Sequence, residues 1–447
     1  MRPASHWLTI LTLVVACWQP FTADAFDCDD YANIGCTDHW FASDAGSYSS
    51  GVCGTAGCLH CRETLTGDWF GYRTCLAESG LTLEADSTQF YQGVAHGGRR
   101  ERFYYAGHDD LLFGFDLGKM LDVQGWSLTV RAEHRWGEPL ARDAGVILPT
   151  ALHAATPTPE SDRLILTNVF FTGAVDENVT LLFGKIDTLD GDRNPFASGR
   201  GKTQFFNTSL LVPVNGLPTV PLATLGAGAI FSVDGMPFAQ LMVMNSSDTV
   251  TTSGFEDLFD NGAVILGSVN LPVPIAGKLG IHTLSGAWNT KTFTSLDQDG
   301  RIIIPNVPLI QTAGSWVVWW SGAQYLYQDP SDPMKGWGIF GRAGASDGAV
   351  NPIQYFFNAG IGGQSPFVGR ERDLFGIGWF YNRFSNQIGP AATAALGLEA
   401  ASTGVEIYYN YAVTPYFKVT PDLQIIEPGT NQANTATVVG IRAELDF

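Results

Sequence analysis

The chain has 447 residues, a formal net charge of −19, and 45% hydrophobic against only 15% charged residues. That acidic excess argues against a nucleic-acid partner. A soluble domain carries about 25% charged residues, so much of this surface is not built to face water, and the 51 glycines and 28 phenylalanines suit turns and strands better than helices.

The first predicted element is a leader. Arg2 is followed by the apolar run from Trp7 to Ala16 and by Ala23 and Ala25, which is the pattern of a secretory signal peptide cleaved after Ala25. The run is too short to span a bilayer. The alternative is a lipoprotein signal at Val14-Val15-Ala16-Cys17, which would leave Cys17 lipidated. Residues 26–80 form a cysteine-rich, periplasmic or plug-like preface holding Cys28, Cys36, Cys53, Cys58, Cys61 and Cys75. An even cysteine count in an exported segment predicts disulfides of unspecified pairing. Zinc is the alternative, because Cys58-Leu59-His60-Cys61 has ligand spacing and Cys53 is near. Trp69 to Ser79 is predicted as a short helix.

From Leu81 onward apolar and polar residues alternate. Trp126, Leu128, Val130, Ala132 and Trp136 share one parity, with His134 the polar residue among them. Ser127, Thr129, Arg131, Glu133 and Arg135 share the other. Phe113, Phe115 and Leu117 oppose Gly114 and Asp116; Phe375, Ile377, Trp379 and Tyr381 repeat the pattern. Val405, Ile407, Tyr409 and Tyr411 oppose Glu406 and Asn410, and the last residues, Val439 to Phe447, alternate again. This period of two predicts strands with one oily and one charged face. The longest uncharged stretch, Thr203 to Val233, is broken by Pro213, Pro218 and Pro221 and cannot be a spanning helix. A soluble β-sandwich also alternates. Aromatics at the ends of oily runs and charges on the polar parity favour a barrel with interfacial girdles and a wet lumen. Only a closed sheet pairs every backbone group in hydrocarbon without helices. Residues 81–447 are therefore expected to form an all-β, transmembrane antiparallel barrel of about sixteen strands, and Phe447 to be the terminal aromatic by which such barrels are recognised for assembly.

Leu65-Thr66-Gly67-Asp68-Trp69-Phe70-Gly71-Tyr72-Arg73-Thr74 resembles the entry motif of the OprB-type carbohydrate-selective porins, with Phe70 in place of a usual glycine. Further matches are Phe115 to Leu121, Gly184-Lys185 before Asn194-Pro195-Phe196, Arg342 to Gly348, Thr414-Pro415, Thr420 to Gln424, and Val439 to Arg442 ahead of Phe447. The cysteine-rich preface falls outside the pattern. The resemblance implies an outer-membrane barrel of sixteen strands through which monosaccharides and small neutral solutes diffuse, with no catalysis and no cofactor. Its expected partners are carbohydrate solutes and outer-membrane lipid, with a homotrimer as the candidate assembly.

Several motifs have other readings. Gly344-Ala345-Ser346-Asp347-Gly348 fits a nucleophile elbow in letter, but Pro352 and the extended run from Ile353 speak against the helix it needs, and a turn at the barrel rim is expected. Ser198 to Thr203 echoes a phosphate loop without its first glycine. His108-Asp109-Asp110 is expected to be a solvated turn, its alternative a cation site. Arg370 to Asp373 is expected at a strand entrance. The candidate solute-contacting residues are the charges of the polar parity, Arg131, Glu133, Arg135, Arg342, Glu406, Asn410, Arg442 and Glu444, since a passage for sugars needs donors and acceptors along its wall. The alternative is that they satisfy one another as ion-pair ladders. A barrel enzyme of esterase type, or an anchoring protein whose preface binds a partner, is the competing class.

Overall fold

The computed structural model describes residues 62–447 apart from 159–161, 299–300, 302–303 and 305. The leader, Cys17 and the cysteines Cys28, Cys36, Cys53, Cys58 and Cys61 lie outside the described residues.

Strands β1 (Leu81–Gly98), β2 (Phe103–Asp116), β3 (Trp126–Gly137), β4 (Leu164–Ala174), β5 (Val179–Asp187), β6 (Ala223–Val233), β7 (Met236–Asn245) and β8 (Ala263–Pro272) make half of the sheet. The other half is β9 (Gly280–Thr294), β10 (Gln311–Asp329), β11 (Asp332–Ser346), β12 (Ile353–Gln364), β13 (Leu374–Phe384), β14 (Ala401–Thr414), β15 (Phe417–Glu427) and β16 (Asn434–Asp446). Each strand pairs with its neighbours in sequence, and β1 pairs antiparallel with β16 from Asp86 opposite Asp446 to Gly98 opposite Asn434, so the sheet closes as a barrel of 16 strands. No helix among the described residues is long and apolar enough to cross a membrane.

The outer wall is a belt of exposed apolar side chains that includes Ile265, Trp316, Val318, Ile339, Phe357, Ile377, Val405 and Ile441. Exposed to water these would be prohibitive; against acyl chains they are at home. The turn end carries tight connections such as 234–235 and 330–331, and the loop end carries 138–163, 188–222, 246–262, 295–310 and 385–400. Ahead of β1, helix α1 (Tyr72–Glu78) falls within the predicted Trp69–Ser79 span. Asp68 accepts from Thr74 N at 2.8 Å and from its hydroxyl at 2.9 Å. Arg73 then reaches Thr64 Oγ1 at 2.7 Å and Phe447 O at 2.6 Å, so the entry motif fastens the seam between β1 and β16. Cys75 is exposed on α1 and forms no disulfide among the described residues.

Two local expectations need correction. His108-Asp109-Asp110 is no turn but the middle of β2, where His108 and Asp110 point into the barrel and Asp109 points out. Leu117 does not extend the outward run of Phe113 and Phe115, because Asp116 caps a short helix, Leu117–Leu121, through Lys119 N at 3.1 Å.

Candidate functional site: the lumen and its inward-folded loops

The uncharged, proline-broken run noted in the sequence does not stay outside. Residues 188–222 fold into the barrel, and Phe205, Leu210, Leu211 and Val214 are buried there against Phe340, Phe356, Phe380 and Tyr408 of β11–β14. These wall residues share the inward parity with polar neighbours, so this side of the lumen is an apolar seat. Glycine makes the room. A Cβ on Gly376 would lie 2.7 Å from Phe205, and one on Gly378 would lie 2.9 Å from Leu210.

Polar side chains fasten the seated loop. Asn207 caps the turn Thr208–Leu211 through Ser209 N at 2.9 Å. Glu406 accepts from the backbone N–H of Phe206 and, at 2.9 Å, of Asn207. Arg342, fully buried, donates from Nε to Asp192 at 2.7 Å, from Nη1 to Leu210 O at 2.9 Å, and from Nη2 to Ala197 O. Arg442, also fully buried, donates to Gly201 O at 2.6 Å and to Gln204 O at 2.9 Å, with its guanidinium 4.3 Å over the Phe206 ring. Loop 138–163 is held in the same way, since Arg135 donates to Ala154 O at 2.7 Å.

Beside this seat runs a ladder of alternating charge. Lys202 bridges Asp86 and Asp110, the latter at 2.8 Å. Arg131 bridges Asp110 at 3.4 Å and Asp190 at 2.6 Å. Arg200 joins Glu133, Asp187 at 2.7 Å and Asp190 at 3.3 Å. His108 sits 3.2 Å from Glu133 and stacks on His153 at a ring separation of 3.7 Å. In the loops, burial works against the charge of Lys202 and Arg200, but their carboxylate partners outweigh it and hold both pKa values above the ordinary ones. Burial likewise raises the Asp190 carboxyl, and Arg200 with Arg131 overcomes it and holds the group below the usual carboxylate range. His153 goes the other way: burial first, then His108, Lys202, Arg200 and Arg442, push it well below the usual imidazole value.

All eight candidate wall residues point inward, but they divide by access. Glu133, Arg342, Glu406, Asn410 and Arg442 are buried, with Asn410 donating to Thr420 Oγ1 at 2.9 Å. Arg135 and Glu444 are nearly so; Glu444 pairs with Lys418 at 3.3 Å. Arg131 keeps 12% of its side chain open, beside Asp86 at 15%, Lys202 at 21% and Asp190 at 35%. Sequence reasoning placed Asp110 in a solvated turn and missed Asp86, Asp190, Arg200 and Lys202. The last two lie in the stretch that echoed a phosphate loop; the cue was two cations in an otherwise uncharged run.

Two motifs resolve locally. Ser346 ends β11 and donates to Ile353 O at 2.7 Å across a rim turn, with no helix after it. Arg370 folds back on Asp373 at 2.7 Å in the connection before β13.

The sequence pattern of the "Carbohydrate-selective porin, OprB family" matches residues 100–447, so the Leu65–Thr74 motif precedes the matched region. Porin B of Pseudomonas aeruginosa is 24% identical over 457 residues, 90% of this chain and 96% of that protein. Porin AaxA of Chlamydia pneumoniae is 24% identical over 225 residues, 49% of this chain and 48% of that protein. Among solved structures, Pseudomonas putida OprB at high pH superposes with a TM-score of 0.75 at 18% identity, covering 87% of this chain and 99% of that one.

Proposed function

The chain belongs to the OprB family of carbohydrate-selective porins and forms an outer-membrane porin channel; we propose that monosaccharides and small neutral solutes cross it by passive diffusion past the charge ladder. The observation that carries this reading is the sequence Asp86–Lys202–Asp110–Arg131–Asp190, partly exposed at every member but the buried Asp110, in which each cation sits between carboxylates. A hydroxyl both donates and accepts, so it can replace a water at any rung; an ion finds attraction at one rung and repulsion at the next. Hydrogen bonds of this kind favour entry and are weak enough for exit. The solute contacts fall to Arg131 and its ladder partners, whereas Glu133, Arg135, Arg342, Glu406 and Arg442 hold the loops in place and Asn410 and Glu444 pair within the wall, with Thr420 and Lys418. Reconstituted in a planar bilayer, the protein should conduct ions and glucose should reduce the current. A folded barrel without conductance would end this reading.

No catalysis is part of the proposal. Ser87 Oγ donates to Asp109 at 2.6 Å and His134 Nδ1 lies 3.1 Å from the same carboxylate, so the acid stands between hydroxyl and imidazole and no serine–base pair forms. No cofactor or resident metal is proposed. His108, Asp110 and Glu133 come within ligand distance of one another, but Arg131, Arg200 and Lys202 already supply the positive charge that a cation would bring. The preface is proposed to be disulfide-held at the periplasmic mouth after cleavage at Ala25, with conductance surviving reduction.

The outer wall supports the homotrimer as well. Ser87, Asp109 and His134 face outward on β1, β2 and β3, between the Tyr105–Trp136 pair, 5.0 Å apart, and Phe113 and Phe115 nearer the turns. Asp109 and His134 pair with each other at 3.1 Å, His134 Nε2 reaches Asp162 O of loop 138–163 at 3.2 Å, and the two side chains remain 40% and 35% exposed on the outward face. A second copy fits this surface, because an axis along the membrane normal sets the acid of one barrel against the imidazole of the next at equal depth.

A further inference from the structure

Porin interiors are polar, yet one row of inward positions here is not. Leu182 stands opposite Gly228, Gly228 opposite Met242, Met242 opposite Leu266, Leu266 opposite Ala287 and Ala287 opposite Val317. Directly paired residues share a face of the sheet, so an apolar row crosses β5 to β10 without a break. Val220 of the inward loop packs onto it from the loop end. If the row served only as a seat for that loop, its apolar surface would end where the loop ends. Instead Phe170, Ile230 and Trp319 border the cluster and stay partly exposed. The next row toward the turns turns polar again between two of them, with Gln240, Ser268 and Ser285 lying between Ile230 and Trp319.

This shelf meets the ladder. Asn168 of β4 donates to Asp190 at 3.3 Å, and Phe170 follows it two positions along the same inward face. One side of the passage therefore offers alternating charge, and the adjoining side offers aliphatic and aromatic surface with hydroxyls beneath it. A monosaccharide uses only the first. A molecule that fits both carries a ring of hydroxyls at one end and a flat apolar group at the other.

We propose that the channel binds and passes aryl glycosides, small sugars bearing an aromatic aglycone, with the sugar on the ladder and the aglycone against Phe170, where the apolar shelf adjoins the ladder. The proposal rests on the channel reading above and names a solute class for it. Desolvating the aromatic ring against the shelf supplies an attraction that the sugar alone lacks, so the aryl compound should dwell longer despite its greater size.

The test measures block of single-channel current by methyl β-D-glucopyranoside and phenyl β-D-glucopyranoside, applied separately to the full-length protein. The expected result is half-block by the phenyl compound at a several-fold lower concentration. That difference should shrink toward unity in Phe170→Ala and in Phe170→Ser, and persist in Phe170→Tyr. Heat-modifiable gel migration confirms that each variant is assembled, and Phe170→Tyr, which keeps the ring, separates loss of the aromatic surface from loss of the fold. Equal half-blocking concentrations in the wild type would overturn the proposal, as would a difference that survives both truncations. Failure of glucose to permeate proteoliposomes would strike the channel reading instead, and the ratio of half-blocking concentrations would still decide the shelf.

Discussion

Arg342 separates a solute-binding reading of the lumen from a loop-tethering one. Its guanidinium is fully buried and fastens the inward loop at Asp192, Ala197 and Leu210. Arg342→Met keeps most of the stem volume and removes every donor, leaving Asp192 and two carbonyls without their partner. Breaking a buried pair from one side costs about 3–5 kcal/mol. Phe205 and Leu210 stay seated by contacts worth roughly 1.5–3 kcal/mol each, so the loop should loosen rather than leave. A shift of about 3 kcal/mol changes the ratio of seated to unseated loop by roughly two orders of magnitude. Single-channel records should then show added noise and states of higher conductance, and protease should nick residues 188–222 faster than in the wild type. If the variant instead shows an unchanged conductance, an uncut loop and a weaker block by glucose, Arg342 contacts solute and the tethering argument is wrong.

Arg131→Ala should shift ion selectivity and weaken glucose block while the barrel assembles. Val130→Arg, on the lipid side, costs about 2–4 kcal/mol near the midplane and should reduce the heat-modifiable fraction; the opposite pair of outcomes would mean the faces are reversed. Asp109→Leu combined with His134→Leu should convert trimers to monomers in native mass spectrometry with each barrel intact, and an unchanged trimer fraction would remove the contact proposed on β1–β3. His153 is held neutral by burial and by its cationic neighbours, so the folded state resists a proton that the unfolded chain accepts near pH 6.5. Its stabilisation is complete above that pH and declines below it by at most about 1.4 kcal/mol per pH unit. The temperature of the heat-modifiable transition should therefore fall between pH 6.5 and 5, less steeply in His153→Leu, and parallel slopes would refute the assignment.

What the sequence revealed, and what it hid, follows from how many surfaces each strand must satisfy. Where one face meets lipid and the other meets charges, the period of two is plain, as in Trp126–Trp136 and Val405–Tyr411, and the faces read from those runs are the faces observed. On β11–β13 the contrast between faces is weaker. Phe340, Phe356 and Phe380 point inward beside Arg342, Asn358 and Asn382, while Ile339, Phe357 and Trp379 point outward, and periodicity alone does not separate an aromatic that meets lipid from one that meets a loop. The role of two glycines was hidden for the same reason. Gly376 and Gly378 fall inside the alternating run of β13, where they serve as recesses for Phe205 and Leu210, a need created by chain about 170 residues earlier.

The inward seat also explains the position of the charges. A sixteen-stranded barrel left open would be a wide, water-filled hole with little power to choose among small solutes. Folding residues 188–222 inside narrows it, and every buried polar atom of the loop must then find a partner. Arg342, Glu406 and Arg442 supply those partners from the wall, which is why they are buried and why they sit on the polar parity. The same loop carries Arg200 and Lys202 to the opposite wall, where an excess of carboxylates on β1, β2 and β3 would otherwise repel one another. Arg131 is a cation of that wall itself, paired with Asp110 and, through Asp190, with the loop. Selectivity in this channel is accordingly a property of loop placement. Substitutions at buried residues that no solute touches should change which molecules pass as strongly as substitutions at the rungs themselves.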